Sequence, residues 1–167
     1  MNDALTKQDI KKMQEELDER KFKLRPEIIE EVKRTRAFGD LSENFEYKAA
    51  KQAKNRNDSR IRYLEKMIST AKIIEDTSAP DEIGLYDKVT LYLPEDDDIE
   101  ILQVVTTVRC DPRRGLISRE SPMGKQLLGK KTGDEVTVTV NENYSYKAVI
   151  KSVEKCEDDG SAPIMAF

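Results

Sequence analysis

Phe38-Gly39-Asp40-Leu41-Ser42 separates two apolar stripes of helical period, and this short reversal decides the fold of the N-terminal half. Upstream, Ile10, Met13, Leu17, Leu24, Ile28 and Val32 recur in steps of three, four or seven, with Thr35 closing the series. Such steps form a heptad-like stripe on one face of a helix. Lys11, Lys12, Glu15, Glu16 and Lys33 occupy the other faces. Downstream, Ala50, Ala53, Ile61, Leu64, Ile68 and Ala71 form a second stripe, with Asn57 as a polar interruption. Two long helices joined by so short a connection must lie antiparallel, each covering the other's stripe. Residues 7–38 would extend about 48 Å at the rise of an α-helix, which makes an arm rather than half of a compact ball. Pro26 is expected to kink or restart the first helix, because proline suits a first helical turn and removes an interior hydrogen bond. The arm is expected to occupy residues 1–76.

Further along, Asp76-Thr77-Ser78-Ala79-Pro80-Asp81-Glu82-Ile83-Gly84 is polar and rich in turn residues, which places a linker at 77–84. Beyond it the period drops to two. Val89, Leu91 and Leu93 alternate with polar residues, as do Val136, Val138 and Val140, and then Tyr146, Ala148 and Ile150. Ile99–Val108 reads as another strand and Gly133-Asp134 as a turn. Ser121-Pro122 before Met123-Gly124-Lys125-Gln126-Leu127-Leu128 reads as the N-cap and first residue of a short helix. Residues 85–156 therefore form a small, mostly antiparallel sheet with one helix, and 157–167 a loose tail without periodicity. The fold class is α+β.

Composition agrees. The chain has 167 residues, 37% charged, 37% hydrophobic and only 6% aromatic, which suits long solvated helices better than one large core. Mean hydropathy is −0.71, and no apolar run approaches the ~18 residues of a membrane span. The N-terminal residues lack a basic and apolar leader pattern, so a cytoplasmic location and no membrane association are expected. The absence of histidine and the wide separation of Cys110 and Cys156 argue against zinc sites, histidine-based catalysis and a disulfide framework. Residues 1–79 carry 18 Lys and Arg against 16 Asp and Glu, whereas the remainder carries 11 against 17. The net charge of −4 argues against a general nucleic-acid coat, but leaves room for a local basic strip on the arm.

Chemistry is most readily placed at the reversal. Asp40 fits an N-cap, and Glu43 three residues later completes a capping-box-like pattern after Gly39, a fitting left-handed helix terminator. That account suffices for the spacing. The same two carboxylates can also be presented, at the end of a lever, to a metal site completed by a partner, since Mg²⁺ is commonly held by one or two carboxylates plus water and phosphate. Arg36, Lys48, Lys51 and Lys54 behind them would guide a phosphate chain, or are simply a solvated helix face.

Gly39-Asp40-Leu41-Ser42-Glu43-Asn44, followed by Glu46-Tyr47 and Ala49-Ala50-Lys51, resembles the signature of the bacterial GreA/GreB transcript-cleavage factors. The likeness continues through Leu24-Arg25-Pro26-Glu27-Ile28-Ile29, Arg60-Ile61-x-x-Leu64-Glu65, Ile117-Ser118-x-x-Ser121-Pro122-Met123-Gly124-Lys125 and Leu127-Leu128-Gly129-Lys130-Lys131, in the family's order. The resemblance implies an N-terminal antiparallel coiled coil and a C-terminal domain of FKBP-like fold. It implies a monomer whose second domain docks on the β′ rim of RNA polymerase while the coiled coil enters the secondary channel. Asp40 and Glu43 would then be the catalytic, metal-holding acids, sharing the polymerase's Mg²⁺, with no cofactor bound by this chain alone. Arg36, Lys48 and Lys51 would face the nascent RNA 3′ end, and Asp111, Ser121, Pro122 and Met123 would contact polymerase. The active site would remain the polymerase's, so the chain would not be an enzyme by itself.

Two departures from the family pattern stand out. Phe45 replaces the usual alanine beside the tip acids. Val105-Thr106-Thr107-Val108-Arg109-Cys110-Asp111 replaces a glycine-containing acidic run, so Arg109 is expected to reverse a charge near the docking surface. Three functions remain in view: a cleavage-stimulating factor, a channel-entering regulator that does not stimulate cleavage, and a prolyl isomerase. The last would need an aromatic-lined pocket, yet the C-terminal half has no Trp and its sole Phe is Phe167.

Overall fold

The computed structural model describes residues 3–39 and 44–166. The fold is α+β, and the chain divides into two units, one of Ile10–Ala71 with the extreme N-terminus and one of Ala4–Asp9 with Lys72–Phe167.

The first unit is a helical hairpin. Helix α1 (Lys7–Glu19) runs through one π-helical turn (Arg20–Leu24) into α2 (Arg25–Arg36), and α3 (Phe45–Thr70) returns antiparallel. The α-helix restarts at Pro26, as one of the two expected outcomes has it. The proline sits in the first turn of α2, and the widened turn before it lets the Arg25 N–H donate to the Arg20 carbonyl, five residues back. That widening accommodates a ring that would otherwise press on the carbonyl of residue 22.

The apolar seam follows the expected stripe on the first strand of the hairpin, with Met13, Leu17 and Thr35 buried. On α3 it passes through Ala50, Asn57, Arg60, Ile61, Leu64 and Met67, whereas Ala53 is exposed. The middle of the seam is thus polar. Asn57 donates to the Arg20 carbonyl (3.3 Å) and accepts from the Arg20 guanidinium (3.0 Å). Arg60 reaches Glu16 at 2.8 and 3.1 Å, and Arg25 and Lys54 both hold Asp58.

The second unit contains a parallel pair of two-residue strands, β1 (Ala4–Leu5) and β2 (Lys72–Ile73). Its main body is a five-stranded sheet of β3 (Lys88–Leu93), β4 (Asp98–Val105), β5 (Leu116–Ser118), β6 (Glu135–Asn141) and β7 (Tyr144–Glu154), in the order β5-β4-β3-β7-β6. All neighbours in this sheet are antiparallel except β4 and β5. One face buries Val89, Leu91, Leu102, Val104, Val136, Val138, Ala148 and Ile150, over which α4 (Pro122–Leu127) lays Met123 and Leu127. Val140 departs from the alternation and is exposed, because a register shift between Thr139 and Asn141 ends it.

Three expectations for this unit need correction. Strand β4 stops at Val105, and the chain then turns through a short 3-10 segment, Thr107–Arg109. The expected linker 77–84 is partly built into the domain: Ile83 is buried and its N–H donates to the Lys130 carbonyl at 2.8 Å. The tail is anchored rather than loose, with Ala162 buried, Asp158 paired to Arg109, and the Met165 N–H donating to the Val108 carbonyl at 2.7 Å.

Candidate functional site

The distal end of the hairpin is closed by a side-chain clasp. Asn44, extended at φ −82° and ψ 90°, is the N-cap of α3: its side-chain oxygen accepts the Tyr47 N–H at 3.0 Å. The amide nitrogen of the same side chain donates to the Thr35 carbonyl at 2.7 Å, while the buried Thr35 hydroxyl bonds back to the carbonyls of Glu31 and Val32. One asparagine therefore satisfies an orphan donor at the start of α3 and adds a second bond to the Thr35 carbonyl, which already accepts the Phe38 N–H at 3.2 Å. The described N-cap of α3 is thus Asn44. Asp40 and Glu43 themselves, and the capping box expected of them, lie outside the described residues. Gly39 takes φ +100°, the left-handed conformation expected of it, although α2 ends three residues earlier at Arg36.

Arg36 is exposed in the last turn of α2, and Lys48 and Lys51 are exposed in the first turns of α3. None of the three has an ion pair among the described residues. Lys54, by contrast, is tied to Asp58 at 3.0 Å. Two phenylalanines flank the tip. The Lys48 ammonium lies 5.5 Å from the Phe45 ring centroid, and the Arg34 guanidinium lies 5.3 Å from that of Phe38.

In the second unit, β5 brings the other candidate residues together. The half-buried Asp111 caps the 3-10 turn Pro112–Arg114 by accepting the Arg113 N–H at 3.2 Å. The Ser121 hydroxyl accepts the Gly124 N–H at 3.0 Å and donates to the Ser118 carbonyl at 2.6 Å, as its place before Pro122 predicts. A side chain at Gly124 would meet the Ser118 carbonyl at 2.2 Å, so this close approach requires glycine. Pro122 is exposed, but Met123 belongs to the core at 8% exposure and is not a surface contact.

Arg109 is also corrected. It does not present a charge on the surface. It is 1% exposed and its guanidinium donates to Asp9 (3.0 Å) and, through both terminal nitrogens, to Asp158 (3.0 and 2.8 Å). Asp9 also caps a helix. Its other oxygen accepts the Thr6 N–H at 2.9 Å while the Thr6 hydroxyl accepts the Asp9 N–H, a reciprocal capping box at the start of α1. Thr6-Lys7-Gln8-Asp9 carried that signal in the sequence, as Asn44 carried the signal for an N-cap.

Comparison with known proteins places this geometry in a family. Residues 4–73 match the family described as transcription elongation factor, N-terminal, and residues 77–155 match transcription elongation factor, GreA/GreB, C-term. The chain is 44% identical over 135 residues to transcription elongation factor GreA of Geobacillus kaustophilus, covering 80% of this chain and 85% of that protein. It is 42% identical over 134 residues to GreA of Bacillus subtilis, with the same coverage. Among solved structures, the GreA factor homolog 1 (Gfh1) protein of Thermus thermophilus is 27% identical, with 93% of this chain and 100% of that chain covered and a TM-score of 0.43. With both halves matched in order and this level of identity across most of the chain, the protein belongs to the GreA/GreB family of transcription elongation factors.

Proposed function

We propose that this chain stimulates the Mg²⁺-dependent cleavage of backtracked RNA 3′ ends by bacterial RNA polymerase, with Asp40 and Glu43 as the groups it brings to the reaction. The observation that carries the reading is the Asn44–Thr35 clasp. It joins the end of α2 to the start of α3, and Arg36, Lys48 and Lys51 are exposed on either side of that join.

Among the described residues no group of three or more His, Cys, Asp or Glu gathers to hold a metal ion. Two carboxylates from this chain fit the modest share of ligands that protein usually gives Mg²⁺, water and phosphate supplying the rest. When bound, the ion supplies activation of the attacking water and neutralisation of charge at the leaving oxygen. Asp40 and Glu43 would hold the ion and orient the attacking water at that site. Arg36, Lys48 and Lys51 attract the phosphates of the transcript. Asp111, Ser121 and Pro122 make the polymerase contact from the second unit. The chain acts as a monomer in the cytoplasm, and the reacting centre is the polymerase's, which makes this protein an accessory factor rather than an enzyme.

The test uses Asp40→Asn and Glu43→Gln in stalled, backtracked elongation complexes. Loss of stimulated cleavage with retained polymerase binding is expected. Unchanged stimulation would remove both acids from the reaction. A second reading, a regulator that fills the channel without stimulating cleavage, is favoured by one observation: Phe45, directly beside the tip, is almost wholly exposed.

A further inference from the structure

We infer that the ring of Phe45 is a stacking platform for the terminal nucleobase at the RNA 3′ end. The inference rests on the reading above that the tip meets RNA. Phe45 is 79% exposed and Phe38 is 58% exposed near the distal end of the arm, and the third exposed phenylalanine, Phe22 at 75%, lies far from them on the π turn. Phe45 contributes nothing to the fold of the arm, since α3 is already capped by Asn44 and the ring adds no burial to the seam. The ring is open to an occupant from outside the chain.

The neighbouring charge says what kind of occupant. The Lys48 ammonium lies 5.5 Å from the Phe45 centroid and has no ion pair among the described residues, and Lys51 follows one turn later. An apolar protein wall pressed on that ring would strip water from the ammonium and return no partner. A nucleotide offers both a π-face for the ring and a phosphate for the cation, the combination by which single-stranded nucleic acid is held. Phe38 is the poorer platform, because its cation Arg34 is already committed to Glu31 through contacts of 2.9 and 2.6 Å.

The test places 2-aminopurine at the RNA 3′ end of backtracked complexes, where stacking quenches its emission, and compares wild type with Phe45→Tyr, Phe45→Leu and Phe45→Ala. Wild type and Phe45→Tyr should quench, and Phe45→Leu and Phe45→Ala should not. In parallel, Phe45→Ala should raise the half-saturating protein concentration roughly tenfold on base-bearing RNA and leave it unchanged on RNA with an abasic 3′ nucleotide. Quenching by Phe45→Leu equal to wild type, no quenching by wild type at saturation, or equal losses on both RNAs would overturn the inference. Quenching by wild type without faster cleavage would sink the cleavage reading and leave the stacking platform standing.

Discussion

Each unit of this protein buries one arginine, and the two are held differently. Arg60 on the arm answers Glu16, whose side chain keeps 26% of its surface in water and also takes Arg20. Arg109 in the β-unit sits between two acids with its own side chain sealed, and Asp9 is sealed with it. On the arm the ion pair is a register pin: it fixes which turn of one helix meets which turn of the other, close enough to solvent that the charges remain partly hydrated. In the β-unit the triad joins three stretches of chain, around residues 9, 109 and 158, at a depth where an unmatched charge is expensive. Buried pairs of the second kind add little net stability but cost heavily when one member is lost.

The two arginines should therefore differ in the damage their loss causes. Arg109→Met should remove about 3–5 kcal/mol from the β-unit, because Asp9 and Asp158 are left facing each other without a counter-charge. Urea unfolding with hydrogen exchange read over the peptides of β3–β7 measures it. Arg60→Met should cost the arm only about 1–2 kcal/mol, since Glu16 can turn to Arg20 and to water. Equal losses would mean that burial depth does not separate the two sites. Asn44→Ala, which removes the cap of α3 and its tie to Thr35, should cost about 1 kcal/mol and speed exchange in the first turn of α3.

The smallest effect is acid sensitivity of the arm. Burial pushes the Glu16 carboxyl up, but hydrogen bonds from Arg60 and Arg20 more than reverse this and hold it below its ordinary value. Asp58 is held low by Lys54 and Arg25, against the pull of desolvation. Folded values below unfolded ones mean that this stabilisation is present above the ordinary carboxylate range and disappears as pH falls through the lowered values. Helical ellipticity at 222 nm should therefore soften below about pH 4.5, and Glu16→Gln should blunt the change.

Much of this architecture was legible in residue order. The two helical stripes, the period-two strands and the Ser121-Pro122 cap depend on local spacing, which the sequence displays directly. What was not legible depends on partners distant in sequence. The π turn at Arg20–Leu24 is widened ahead of Pro26 and braced by Asn57, some thirty-seven residues away. Arg109 looked like a surface charge because a basic residue announces burial only through its partners, here Asp9 and Asp158. Strands β1 and β2 are too short to show a period. At the candidate site, the cations Arg36, Lys48 and Lys51 stand exposed as residues near a helix end usually do, whereas Met123 follows its neighbours in sequence but belongs to the core. The clasp of Asn44 on Thr35 was missed although Asn is among the best N-caps, because the acids on either side of Leu41-Ser42 drew the cap to Asp40.

The most direct measurement follows 3′-labelled RNA in stalled, backtracked complexes of a bacterial RNA polymerase with Mg²⁺, with and without this protein. Short 3′ fragments should accumulate faster when the protein is present, and synthesis should then resume. Unchanged cleavage together with slowed RNA synthesis would contradict the account and make the arm a plug rather than a bearer of acids.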